Sequence, residues 1–139
     1  GRRINSTMGA YVADELVKAM LRKRIHVAGS RILVLGYTFK ENCRDVRNTR
    51  VVDIVAALAQ YGAEIDVYDP WVDSEVTALS HGRLVDTPDA KAYQGLLLAV
   101  AHDQFHGLDE SQLNSWLQSE RVIYDLKYVL PKDVVDLRL

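Results

Sequence analysis

The chain has 139 residues, 48% of them hydrophobic and 26% charged, enough to bury a core of its own without disulfides or metal staples. A formal net charge of -2 gives no electrostatic reason to expect nucleic acid or an acidic membrane surface as partner. The single cysteine, Cys43, excludes an internal disulfide framework and suits a reducing compartment. With no apolar run of membrane-spanning length and no signal-peptide core, the chain reads as cytoplasmic. Its opening, Gly1-Arg2-Arg3-Ile4-Asn5, lacks an initiator methionine, which fits a piece of a longer protein.

Residues from about Asn5 to Arg24 predict a helix, with Met8, Tyr11, Val12, Leu16, Met20 and Leu21 spaced to share one side. The stretch Ala28-Gly29-Ser30 ends it. A boundary near Val27 to Ser30 divides the chain into residues 1–28 and 29–139. Ile32-Leu33-Val34-Leu35-Gly36 is an apolar run too short for a helix, and reads as a strand covered on both faces. A polar loop from Tyr37 to Asn48 leads into a second amphipathic helix from Thr49, with Val51, Ile54, Val55 and Leu58 inward and Gly62 at its end. Glu64 to Tyr68 predicts a second strand, closed by Asp69-Pro70.

Weaker signals follow. Val72 to Leu79 suggests a short helix, Arg83-Leu84-Val85 a short strand and Pro88 to Tyr93 a helical turn. Leu96 to Val100 is another buried-strand run. Glu110 to Gln118 predicts a helix burying Leu113, Trp116 and Leu117, and Arg121 to Asp125 the last strand. Strands alternating with helices imply right-handed crossovers. The expected fold is therefore α/β, Rossmann-like or flavodoxin-like, with a mostly parallel five-stranded sheet in the order 3-2-1-4-5.

Ligands of such sheets gather at the carboxyl ends of the strands, where the strand order reverses. That directs attention to the loops 36–48, 101–107 and 126–131. The first lacks the G-x-G-x-x-G turn that lets backbone approach a pyrophosphate: only Gly36 is present, and Thr38 stands where the second glycine belongs. A self-sufficient NAD site is not expected. The loop instead offers Phe39 to lie against a base or sugar, Lys40 as a point charge for phosphate, and Arg47 for a phosphate or carboxylate. Composition alone favours a solvated loop with Phe39 in the core and its charges paired among themselves. His102-Asp103-Gln104-Phe105-His106 resembles a zinc-protease motif but is too close to Gly107 for a proper helix, and no metal is expected. Asp69 reads as a turn-capping residue rather than a ribose acceptor, Cys43 as inert, and Trp71 and Trp116 as packing residues.

The string Leu35-Gly36-Tyr37-Thr38-Phe39-Lys40-Glu41-Asn42, followed by Asp45-Val46-Arg47-Asn48-Thr49-Arg50, resembles the opening of the C-terminal domain of the UDP-glucose/GDP-mannose dehydrogenase family. Val67 to Pro70, Ala99 to Phe105 and Tyr124 to Lys127 resemble its later landmarks in the same order, and Gly1 to Met8 resembles the helix leading out of its central domain. The chain is most similar to the branch acting on UDP-N-acetylhexosamines for capsule or O-antigen sugars. The resemblance implies the substrate-binding domain of an NAD-dependent enzyme that oxidises C6 of a UDP-sugar to the carboxylate. It implies that NAD is bound mainly by an N-terminal domain, that the nucleophilic cysteine lies elsewhere than Cys43, and that the full-length enzyme is a homo-oligomer. Phe39 and Lys40 match positions contacting the UDP-sugar, and Arg47 matches an arginine reaching NAD. Where relatives place a basic UDP contact after the fifth strand, this sequence has Lys127 and Tyr128. A standalone flavodoxin-like binding module and a GDP-mannose 6-dehydrogenase domain remain the alternatives.

Overall fold

The computed structural model describes residues 2–75 and 77–139, with side chains from residue 8 onward. Its elements are α1 (Arg2–Arg22), β1 (Arg31–Leu35), α2 (Val51–Gln60), β2 (Glu64–Tyr68), β3 (Arg83–Leu84), β4 (Tyr93–Leu98), α3 (Asp103–His106), α4 (Glu110–Trp116), β5 (Leu117–Asp125) and β6 (Leu137–Arg138). The strands form one six-stranded sheet in the order β3-β2-β1-β4-β5-β6, every neighbouring pair parallel. The predicted order 3-2-1-4-5 holds, extended by a sixth strand. With two residues, Leu137 and Arg138 carry no periodicity, and their pairing with Tyr124 and Asp125 makes them a strand.

Alternation along β1 builds the two halves of the core. Ile32 and Val34 face α1 and α2, together with Val67, Leu97 and Val122. Leu33 and Leu35 face the opposite layer, with Leu96, Leu98, Phe105, Leu113 and Trp116. Both faces are covered, which is why β1 reads as an unbroken apolar run.

Helix α1 buries Val12, Ala13, Leu16, Val17 and Met20, whereas Met8, Tyr11 and Leu21 are exposed. The apolar stripe expected to point inward is thus divided between core and surface. Small residues decide the docking face: a Cβ on Gly9 would lie 2.8 Å from Asp53 Cβ and 2.9 Å from its backbone carbon, so α2 approaches α1 where a side chain is missing. Val51, Ile54, Val55 and Leu58 of α2 are buried as expected. No helix among the described residues is long and apolar enough to cross a membrane.

Three local expectations fail for identifiable reasons. The segment Val72 to Leu79 has no helix among its described residues. Asp69 and Asp73 instead take the backbone N–H groups of Trp71 and Glu75, two residues on, an alternative to helical bonding. The expected turn of helix at Pro88 to Tyr93 is absent because Lys91 has φ +53 and the N–H groups of Lys91 and Ala92 donate to Ser115 and Trp116 carbonyls. Tyr93 opens β4 instead. Helix α4 stops at Trp116, and Leu117 starts β5 opposite Tyr93. Its apolar side chain fits either element.

On the β2 side of the lower layer the core turns polar. Asp66, buried in mid-strand, accepts from Arg31 at 2.8 Å, from Arg83 at 2.8 Å and from the Tyr93 hydroxyl at 2.6 Å. Burial pushes the Asp66 carboxyl up, but the bonds from Arg83 and Tyr93 outweigh it and hold it below its usual range. Burial, helped by the bond to Asp66, pushes Tyr93 up to about 12, and burial likewise pushes Tyr124 up to about 12. A carboxylate depressed by folding stabilises above its unfolded value of about 4 and loses that contribution on acidification. A phenol raised by folding stabilises fully below about 10 and loses that contribution as pH climbs towards its folded value. Denaturant unfolding across pH should therefore show stability falling on both flanks, with the alkaline loss between about 10 and about 12. Tyr93→Phe should flatten part of the alkaline flank. A curve level through that window would contradict the role of the two tyrosines.

Candidate functional site at the carboxyl edge of the sheet

The loops after β1, β2, β4 and β5 leave the same edge of the sheet because all their strands run parallel. The strand order reverses about β1, between β2 and β4. In a dinucleotide-binding fold this crevice admits a pyrophosphate beside a glycine. Here it is filled. Gly36 has φ +100, and a Cβ on it would fall 2.6 Å from Val100 Cβ and 2.8 Å from the Val100 nitrogen. The glycine makes room for protein, and the residues present do not fit NAD at the Rossmann position.

Asp69 occupies the end of β2 with its carboxylate buried. Its Oδ2 accepts from the N–H of Tyr37 at 2.6 Å, the N–H of Thr38 at 3.1 Å and His102 Nε2 at 2.9 Å, and its Oδ1 accepts from the Trp71 N–H at 2.8 Å. Both oxygens are engaged within the protein and the residue is buried, in agreement with the turn-capping role expected of it. Burial pushes the Asp69 carboxyl up, yet the bonds from His102 and the Tyr37 and Trp71 amides bring it below its usual range. His102 is fully buried, and its Nδ1 accepts from the Asn42 N–H at 2.9 Å. An N–H pointing at Nδ1 places the imidazole proton on Nε2, so His102 is a neutral donor to Asp69. Nε2 also lies 3.1 Å from Thr38 Oγ1, whose own hydrogen goes to the Lys40 carbonyl at 2.9 Å. With both ring nitrogens engaged, and His106 exposed on the four-residue α3, the pair does not form a metal face.

A second buried carboxylate shapes the loop after β5. Asp125 accepts from the backbone N–H groups of Lys127, Val129 and Leu130 at 2.9, 2.8 and 2.8 Å. Tyr128 at the crest has φ +59.

Against this frame of buried acceptors, the residues singled out from the sequence all lie at the surface. Phe39 is 50% exposed, which disposes of a core position, and Lys40 beside it is exposed as well. Lys127 is exposed, and Tyr128 is 60% exposed with its hydroxyl donating to the Leu139 carbonyl and its ring 5.1 Å from the Arg138 guanidinium. Arg47 forms a fork with Asp45 at 3.0 and 3.2 Å in the open, its side chain 85% exposed. Loops one and five are separated by β4 alone, two strand spacings or about 10 Å. A cleft of about 600 Å³ lies to the other side, lined by Arg44, Val46, Trp71, Asp73, Thr77 and Gln104 among others. Trp71 is thus half-exposed at a cleft, whereas Trp116 packs in the core as expected.

Residues 33–132 match the model of the UDP-glucose/GDP-mannose dehydrogenase family, UDP binding domain. The whole chain is 53% identical to part of a UDP-N-acetyl-D-glucosamine 6-dehydrogenase from Pseudomonas aeruginosa and 44% identical to part of one from Salmonella typhi. The chain belongs to this family. It corresponds to the UDP-binding domain and spans 33% of the length of each of these two relatives. Among solved structures, 99% of the chain superposes on 32% of the UDP-N-acetyl-mannosamine dehydrogenase Cap5O from Staphylococcus aureus, with a TM-score of 0.71 and 27% identity.

What the sequence concealed in this UDP-binding domain is its support. Thr38 and His102 lie 64 residues apart, and their meeting depends on β1 and β4 being neighbours. Asp125 gave a local signal, an acid at a strand end before a turn, that could have been read as Asp69 was. The closed crevice yields its own prediction. Gly36→Ala should destabilise the domain by about 2 kcal/mol or more, since it joins a left-handed φ to a clash with Val100. Val100→Ala should rescue only part, because it removes Cγ2 at 2.9 Å but leaves the Cβ at 2.6 Å and the nitrogen at 2.8 Å against the new methyl. Denaturation midpoints of the three variants decide it, and full rescue would place the whole cost in the side chain.

Proposed function

We propose that this chain is the substrate-holding domain of an NAD-dependent UDP-sugar 6-dehydrogenase making a uronate for surface polysaccharide, and that it has no turnover alone. The observation carrying this reading is the exposure of Phe39 and Lys40 on a loop whose neighbours Tyr37 and Thr38 are buried and bonded to Asp69. An aromatic face and an ammonium held on a braced backbone suit a nucleoside diphosphate: the charge meets phosphate and the ring lies on base or sugar. In this reading Lys127 supplies a second cation from loop five. Tyr128, whose hydroxyl is already donating to Leu139, contributes its ring. Arg47, parked on Asp45 in solvent, is assigned to NAD held by a part of the enzyme outside these residues.

Residues 1–28 are assigned to the end of a linking helix and 29–139 to the binding domain. The exposed Met8 and Tyr11 on α1 provide apolar surface for packing within a larger, oligomeric enzyme. The named relatives are UDP-N-acetyl-D-glucosamine 6-dehydrogenases, which favours an N-acetylhexosamine. The chemistry is orientation: the domain fixes the nucleotide so that C6 meets reactive groups elsewhere, and closure over it excludes water.

In the full-length enzyme, Lys40→Ala should raise KM for the UDP-sugar at least about tenfold, the worth of one charge-assisted phosphate contact. An unchanged KM would remove Lys40 from the site. NAD reduction across a panel of UDP-hexoses and UDP-N-acetylhexosamines identifies the sugar. This chain alone should bind UDP only weakly, and tight binding would show the site to be complete within it.

A further inference from the structure

We propose that His102 is a positioning residue for nucleotide binding, which sets the Lys40 ammonium by bracing both ends of the segment from Tyr37 to Asn42. The proposal rests on the reading that Lys40 holds the UDP-sugar. His102 is the one side chain in this knot that joins the two ends. Through Nε2 it meets Asp69 and Thr38, the groups that fix the start of the segment, and through Nδ1 it takes the N–H of Asn42 at its far end. Between these anchors stand Phe39, Lys40 and Glu41. Asn42 has φ +55, and its Oδ1 accepts from the Asp103 N–H at 3.0 Å, so the far end is fastened both to His102 and to the first residue of α3. Thr38 adds an internal brace, donating to the Lys40 carbonyl itself. The residue carrying the charge therefore has its backbone fixed from three strand ends while its side chain stays in solvent.

The two nitrogens can be separated by substitution. A glutamine amide reaches the position of Nε2 and an asparagine amide that of Nδ1. His102→Gln thus keeps the bond to Asp69 and frees Asn42, and His102→Asn does the reverse. In the full-length enzyme, with UDP as the calorimetric probe, His102→Gln should raise the Kd for UDP roughly three- to tenfold, the worth of one lost brace. His102→Asn should raise it less. For the turnover of UDP-N-acetylglucosamine, KM should move far more than kcat. His102→Asn, which leaves the buried Asp69 carboxylate short of a donor, should lower Tm more than His102→Gln, so the order in Tm runs opposite to the order in Kd.

Coupling to Lys40 is the decisive readout: on a Lys40→Ala background, His102→Gln should raise the Kd for UDP much less than it does with Lys40 present, the remainder being the displacement of Phe39. Additive effects, or equal effects of Gln and Asn, would overturn the positioning role while leaving Lys40 as a contact. A Lys40→Ala enzyme with unaltered Kd would overturn the functional reading, and this proposal with it. Should His102→Gln fail to fold, Thr38→Val removes the brace on the Lys40 carbonyl at nearly constant volume, and the same coupling to Lys40 is expected. Its absence would equally refute the proposal.

Discussion

A parallel sheet poses a problem at its carboxyl edge: each strand stops there, and the departing chain carries N–H groups into semi-buried ground with no strand to receive them. This domain solves it with carboxylates. Asp69 takes three backbone N–H groups and Asp125 takes three, each at the end of its strand and each buried. A buried carboxylate without partners costs several kcal/mol, and one ringed by amides does not. The consequence is rigidity where loops are ordinarily soft. The polypeptide bends where the acceptors are, and the side chains between them point outward because the backbone polar groups point in.

That arrangement explains why the domain has the outline of a dinucleotide fold and yet a filled crevice at its switch point. The strand order, the glycine after β1 and the acid after β2 are all present. Each has an internal use. Gly36 admits Val100, and Asp69 binds the loop beside it. A dinucleotide at this point would have to displace the contacts that hold the edge together. In the proposed function, ligand recognition is displaced outward instead, to exposed side chains on braced loops, and such a surface would hold only one side of a nucleotide sugar.

The legible part of the fold was the part with period. Five of the six strands and their order were legible, four of the strands and the second helix from apolar runs and their spacing, because burial on both faces of a parallel sheet writes itself into consecutive residues. Failures came where hydrogen bonds outside the segment decided the outcome. Lys91 and Ala92 could have continued a helical turn, but their N–H groups belong to Ser115 and Trp116. Leu137 and Arg138 are a strand only because β5 offers them an edge. In loop one the residues Phe39, Lys40 and Arg47 stood out by type, and their exposure agrees with a surface role. The histidine beneath them stood out for the wrong reason. Its spacing to His106 suggested a metal motif, while its actual partners lie 60 and 33 residues away.

A buried neutral histidine is well suited to this task. It donates on one side and accepts on the other across the width of a ring, so it can join a carboxylate to a backbone amide without adding a charge. A lysine in its place would present only donors to the Asn42 N–H, and a glutamate only acceptors to Asp69. Glutamine and asparagine each have the right pair of atoms on one carbon, too close together to span both partners. The geometry of the knot therefore demands an imidazole or a redesign of the loop it holds. The loop's conformation, and through it the direction of Lys40, is tied to a residue that no substrate touches.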